Sequence, residues 1–329
     1  MVLGERKCML LGLTFSALGL VFLGTLPVLF GGAYAAILIS CITLAIGSGF
    51  IEVSCSPIVD RIPNKASGAL VSILHSFYCW GHLATALLST LFLFAFSKDS
   101  WWVLSILWAA VPAVNIFLFI KSPLPDPVNP EERKPVRKML RSRSFIFLFL
   151  LILAFGAAEQ SIAQWASMFA EDTLGVSKTV GDILGPCVFA LFMGLGRMLM
   201  GVFATKLETR KALMISSAML VFSILLITLP KSAYLSFMGM ALFGLGVSIG
   251  WPSSLILASE RHRNGGGPMF ALMSIGGDLG CASGPFLVGI ISELASGSAL
   301  GEMKTGILAS LIFPVMTLLL LMLLKERKN

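Results

Sequence analysis

The stretch LAIGSGFIEVSCSPIVDRIPNK, Leu44 to Lys65, decides how the chain is read. It begins as an apolar helix rich in small residues and ends as a charged loop, with Glu52 inside the apolar part. A charge near the centre of a bilayer costs at least about 2.5–3.5 kcal/mol, so a carboxylate there needs a reason. Ser48, Glu52 and Ser56 recur at i, i+4 and i+8 and share one helix face. Gly47 and Gly49 offer a neighbouring helix a close approach. Glu52 reads as a carboxyl that carries a proton or binds substrate hydroxyls, and the coupling proton is expected to come and go there. The plainer alternative is a neutral structural carboxyl bonded to a neighbouring helix.

The rest of the chain has the composition that such a helix requires. Of 329 residues, 57% are hydrophobic and 12% charged, with mean hydropathy +0.91; a soluble domain carries about 25% charged residues. The solvent for this much apolar surface is a lipid bilayer. Six cysteines are scattered singly, in the pattern of neither a disulfide framework nor a metal site. The first apolar run resembles a secretory signal. At about 22 residues it exceeds the roughly 7–15 of a signal core and is long enough to span.

Runs of spanning length fall at 9–30, 35–58, 68–96, 101–120, 145–169, 180–204, 212–229, 233–258, 268–294 and 306–324. Ten spans put both termini on one side. With that side cytoplasmic, 19 of the 24 lysines and arginines lie inside and only Lys98, Lys178, Lys231 and Lys304 outside; Arg197 lies within a span. This asymmetry orients the chain in the cell membrane with both termini cytoplasmic. It also accounts for the net charge of +7 through topology and anionic lipid, without nucleic acid. Residues 121–143, KSPLPDPVNPEERKPVRKMLRSR, carry five prolines that cannot continue a helix, and seven basic residues. The chain therefore divides into a half-bundle of four spans at 1–120, a cytoplasmic linker at 121–144 and a half-bundle of six spans at 145–329.

The halves repeat. LGERKCMLLG (3–12) resembles LETRKALMIS (207–216), with Arg6-Lys7 opposite Arg210-Lys211. AIGSGFIEVSCS (45–56) matches GLGVSIGWPSSL (244–255), and SILHSFYCWGHLA (72–84) matches ALMSIGGDLGCAS (271–283). Spans 1–4 thus correspond to spans 7–10, and superposition about an axis along the membrane normal is expected. On these residues the chain resembles the major facilitator transporters over its whole length apart from their first two helices, with Met1 falling where their loop between helices 2 and 3 would be. The basic end of that loop's motif stands as Gly4, Arg6 and Lys7. The second-half copy is fuller, with Gly194, Gly196, Arg197, Gly201, Arg210 and Lys211. Its usual Asp is replaced by Thr205 or Lys206, and Arg197 is read as part of the motif that latches the halves.

Within the superfamily, the resemblance is to the fucose-permease-like sugar:proton symporters. Their fourth helix carries a Glu followed by Asn and Pro; EVSCSP supplies Glu52 and Pro57, with Ser56 in place of the Asn. Their fifth helix has a polar residue before Ser-Phe and a later Gly, matched by His75, Ser76, Phe77 and Gly81. The resemblance implies an all-α integral membrane protein, a helical bundle of major-facilitator type.

Further polar residues mark the spans. GAAEQSIAQWASMFAED places Glu159 and Gln160 near mid-depth, with Gln160, Gln164 and Ser167 along one face and Trp165 beside it. Carboxylates and amides suit hydroxyl-rich solutes, and an indole can stack on an apolar sugar face. The alternative is hydrogen-bonded glue between helices, worth about 0.6 kcal/mol per contact. His75, Cys79 and His82 share one face of the third span; His75 reads as pore-lining or as packing, and the spacing is a weak metal signal. Asp278, in SIGGDLGCASGP, is functional or structural with equal claim. Asp182 reads as a helix-start residue.

Glu52, Glu159, Gln160, Gln164 and His75 are expected to face one central cavity, with Ser56, Trp165 and Asp278 completing the candidate site. The reading is a monomeric secondary transporter of a small polar solute, a sugar or related compound, working by alternating access with protons and needing no cofactor. Among the enzyme signatures sought, a nucleophile–base pair, a metal cluster and a G-x-x-x-x-G-K-[ST] loop are all missing from the sequence. A transporter fragment without activity, or a drug or metabolite exporter of the same superfamily, is the alternative.

Overall fold

The computed structural model describes residues 4–63, 69–125, 136–203, 208–262 and 265–324. The linker segment 126–135, with Arg133 and Lys134, lies outside the described residues, as do Lys65, Thr205, Lys206, Arg263, Lys325, Arg327 and Lys328. Among the described residues, ten helices are long and apolar enough to cross a membrane. They are α1 Glu5–Leu29, α2 Tyr34–Asp60, α3 Ala69–Phe96, α4 Lys98–Ile120, α5 Arg143–Thr173, α6 Lys178–Gly201, α7 Thr209–Thr228, α8 Ala233–Arg261, α9 Gly266–Leu294 and α10 Glu302–Leu323. Each matches one apolar run of the sequence, and no strand occurs among the described residues. Backbone groups in hydrocarbon must bond within their own segment, and the helix achieves that.

The chain forms two compact units, Met1–Pro63 with Leu88–Asn129, and Asn64–Leu87 with Pro130–Asn329. In the first unit α1 packs on α2 and on α4. Small residues make the α1–α2 crossing close: a side chain at Gly47 would strike the backbone of Gly12 and Ser16, and one at Gly19 would strike Leu44. Gly49, expected to serve the same end, has open space around it. At one end of the unit the Arg6 guanidinium donates to the carbonyls of Phe119 (3.1 Å), Ile120 and Ser122 (2.6 Å). It thereby adds a donor to the acceptors at the C-terminus of α4 and complements the helix dipole. Glu5 pairs with Arg61 beside it.

The second unit repeats this device. α7 packs on α8 and on α10, and Arg210 Nε donates to Leu321 O near the C-terminus of α10 at 3.0 Å. The Arg6/Arg210 correspondence of the sequence thus returns as the same contact in each unit. The core of the second unit is formed around α5, where Phe145, Leu148, Leu151, Ile152 and Phe155 are fully buried. α5 and α9 cross backbone to backbone. A Cβ at Gly280 would fall on Leu153 O and Ala157 N, and one at Gly284 on Ala157 O.

Several helices of this unit are interrupted. α5 is regular over Arg143–Ala163, turns at Gln164 and Trp165, and widens into a π turn at Phe169–Thr173. α6 contains a second π turn, Ile183–Cys187, around Pro186. α8 breaks at Ser248–Ile249 between Ala233–Val247 and Gly250–Arg261. The cause in α8 is Pro252, which has no N–H to give to the carbonyl four residues back, that of Ser248.

Candidate functional site

The freed Ser248 carbonyl is one wall of a buried polar cluster in the second unit. Arg197 Nε donates to it at 2.9 Å. The same guanidinium donates through Nη1 to His75 O of α3 at 2.9 Å and through Nη2 to Glu159 Oε2 of α5 at 3.1 Å. Its side chain is 2% exposed. The Tyr78 ring lies 5.5 Å from the guanidinium carbon, within cation–π range. Gln160 Nε2 donates to Tyr78 Oη at 3.4 Å, and Ser72 Oγ donates to Arg197 O at 2.8 Å.

Local sequence explains why an arginine can sit so deep. Gly194 and Gly201 on α6 face α3, against Cys79 and Trp80 and against Ile73, while Gly196 faces Ser248 on α8. These glycines draw three helices around Arg197. The sequence reading assigned it to a latch motif with the loop residues; instead its side chain turns inward onto Glu159. The signal was available, since a cation and an acid within the same apolar bundle are expected to pair. Tyr78 was missed altogether.

The predicted residues are distributed as follows. His75, Glu159 and Gln160 come together around Arg197, His75 contributing through its backbone carbonyl. Gln164 is exposed at the turn in α5, and Asp278 is exposed on α9. Trp165 Nε1 donates to Pro285 O of α9 at 3.1 Å, with Gly289 beneath its ring. Trp165 also borders a cavity of about 550 Å³ at the ends of α5, α9 and α10, lined in addition by Asp172, Glu293, Glu302 and Lys304. Lys304 spends a donor on Pro230 O at 2.7 Å. Asp182 accepts from Ser167 and from Lys178, the latter at 3.1 Å. In the first unit, Glu52 is half-buried on α2 and Ser56, one turn on, is buried.

Comparison with known proteins agrees with this architecture. The sequence model of the Major Facilitator Superfamily matches residues 2–285. The uncharacterized transporter y4wD of Sinorhizobium fredii is 25% identical over 169 residues, which is 51% of this chain and 45% of that protein. The chain thus matches less than half the length of this relative. The fucose:proton symporter FucP of E. coli superposes with a TM-score of 0.79 at 13% identity, covering 99% of this chain and 85% of that one. The proton:xylose symporter XylE superposes with a TM-score of 0.80 at 14% identity, covering 97% and 79%. At these identities the likeness is one of fold.

Proposed function

The chain belongs to the Major Facilitator Superfamily and is a multi-pass membrane transporter, not an enzyme; on that premise we propose that it carries a small polar solute, a sugar or related compound, across the cell membrane by alternating access, driven by protons. The observation that carries this reading is the buried Arg197–Glu159 pair. Two opposite charges withdrawn from water are tolerated because they neutralise one another. A proton arriving at Glu159 breaks that balance, so proton binding changes what Arg197 can hold. Such a change is what coupling requires: a ligand shifts an equilibrium only by its differential affinity for the states.

The orientation with both termini cytoplasmic rests on the basic-residue asymmetry of the sequence. The monomeric state and the division into 1–120, the linker 121–144 and 145–329 belong to the same proposal. Glu159 takes the proton in this scheme, and Gln160, Gln164, His75, Trp165 and Asp278 supply hydrogen-bonding or stacking surface. Glu52 and Ser56 on α2 form a second polar position, where Glu52 binds solute hydroxyls or titrates in its turn. Reconstitution in proteoliposomes with an imposed pH gradient tests the whole. Solute accumulation that follows the gradient and collapses with a protonophore supports it. Accumulation indifferent to the gradient refutes the proton coupling.

A further inference from the structure

Arg197 keeps its charge at every working pH, so the charge state of the cluster depends on Glu159. With Glu159 ionised, the pair is neutral. When Glu159 takes a proton, one positive charge stays on a guanidinium that is 2% exposed. Its position is nevertheless fixed. The carbonyls of His75 and Ser248, from α3 and α8, hold it from two sides whatever Glu159 does, and the Ser248 oxygen is available because Pro252 leaves it unclaimed. Carbonyl dipoles orient a cation without cancelling its charge, and an uncompensated buried charge is a high-energy state.

A neutral solute brings nothing to relieve that state, whereas an anionic group does. We infer that the transported solute bears a carboxylate, which binds Arg197 when Glu159 is protonated. The inference rests on the proton-coupled reading above and narrows its substrate class from polar solutes in general to anionic ones. The balance is complete: the proton goes to Glu159, the Arg197–Glu159 ion pair breaks, the solute carboxylate forms a new pair with Arg197, and proton and anion travel together with no net charge. The guanidinium has the capacity for this. Of its five donors, Ser248, His75 and Glu159 take three and the Cys79 thiol lies beside the guanidinium, so the donor that leaves Glu159 is the one a solute carboxylate takes over.

The route in is the Tyr78–Gln160 cover. Tyr78 is 48% exposed and lies on the guanidinium, and its 3.4 Å hydrogen bond to Gln160 is long enough to part readily. Among the described residues, the other ionisable groups that interact with this pair are His75, Cys79 and Tyr78 itself on α3, with Cys281 of α9 near Tyr78. An imidazole, thiols and a phenol supply no negative charge at neutral pH in their ordinary state, so none replaces the solute's anion.

Matched probes test the inference with the full chain: glucuronate against glucose, and gluconate against sorbitol, differing in the carboxylate. Two readouts are needed, accumulation in proteoliposomes under an inward proton gradient and thermal stabilisation of the purified protein across pH. The expected result is that at least one carboxylate outperforms its neutral partner by about tenfold. Its stabilisation should grow as pH falls in the parent protein. In Glu159→Gln, carboxylate stabilisation should persist but lose its pH dependence, which a merely structural role for Glu159 would not produce. Neutral sugars accumulating as well as the carboxylates overturn the anionic class and leave proton-coupled transport standing. Silence from both carboxylates in both readouts also overturns the anionic class. Carboxylate accumulation that ignores the proton gradient overturns the reading beneath it.

Discussion

Glu159 on α5 and Glu52 on α2 are both acids within apolar helices, yet the molecule treats them differently. Glu159 is 4% exposed and meets Arg197 at 3.1 Å, with three helices closed round the pair by glycines. Glu52 is half-buried, on a helix with few buried residues along its apolar stretch, whereas most of that stretch of α5 is buried. The difference teaches that a buried charge is kept where a counter-charge is built in with it.

The strongest break of this comparison is loss of Arg197. Arg197→Gln leaves Glu159 buried without its cation, a change of the kind that costs about 3–5 kcal/mol. A markedly lower unfolding midpoint in detergent is expected, partly restored in the Arg197→Gln/Glu159→Gln double variant. Strict additivity of the two single changes would show that the pair is not coupled.

A smaller effect separates the two units by packing. Gly280→Ala drives a methyl into Leu153 O, so overpacking of about 1–3 kcal/mol is expected. Gly49→Ala meets open space and should leave stability unchanged or raise it by up to about 1 kcal/mol through helix propensity. Parallel thermal melts of the two variants check both. Equal losses would mean that the α5–α9 crossing is not as tight as described.

The smallest effects concern the repeated helix-end device. Arg6→Ala and Arg210→Ala each remove a cation from the C-terminus of α4 or α10, worth about 0.3–1 kcal/mol. Each variant is expected to lose stability in that range by chemical denaturation, and no loss in either would show that the helix-end contact contributes nothing.

Most of the architecture was legible in the sequence because a bilayer imposes length and polarity on each span, and ten apolar runs became ten helices. The Arg6/Arg210 repeat was legible for the same reason, since each arginine serves a helix end near it in depth. The interruption of α8 was announced by Pro252, but its consequence, a carbonyl aimed at Arg197, depends on which helix lies opposite. Glu159 and Gln160 were singled out by polarity in an apolar run. Their partner was not, because Arg197 sits in a glycine pattern that also resembles a loop motif, and single-chain spacing does not say which way a side chain turns. Tyr78 gave no signal at all: an aromatic in an apolar helix looks like packing until a cation is found beneath it.

The central claim is that Glu159, held against Arg197, is the proton-coupled group. The direct measurement is solute transport by Glu159→Gln and Glu52→Gln in proteoliposomes, under an imposed pH gradient and as counterflow exchange without one. The account predicts that Glu159→Gln loses gradient-driven accumulation while keeping counterflow, and that Glu52→Gln retains part of both. Gradient-driven accumulation by Glu159→Gln equal to that of the parent would contradict it.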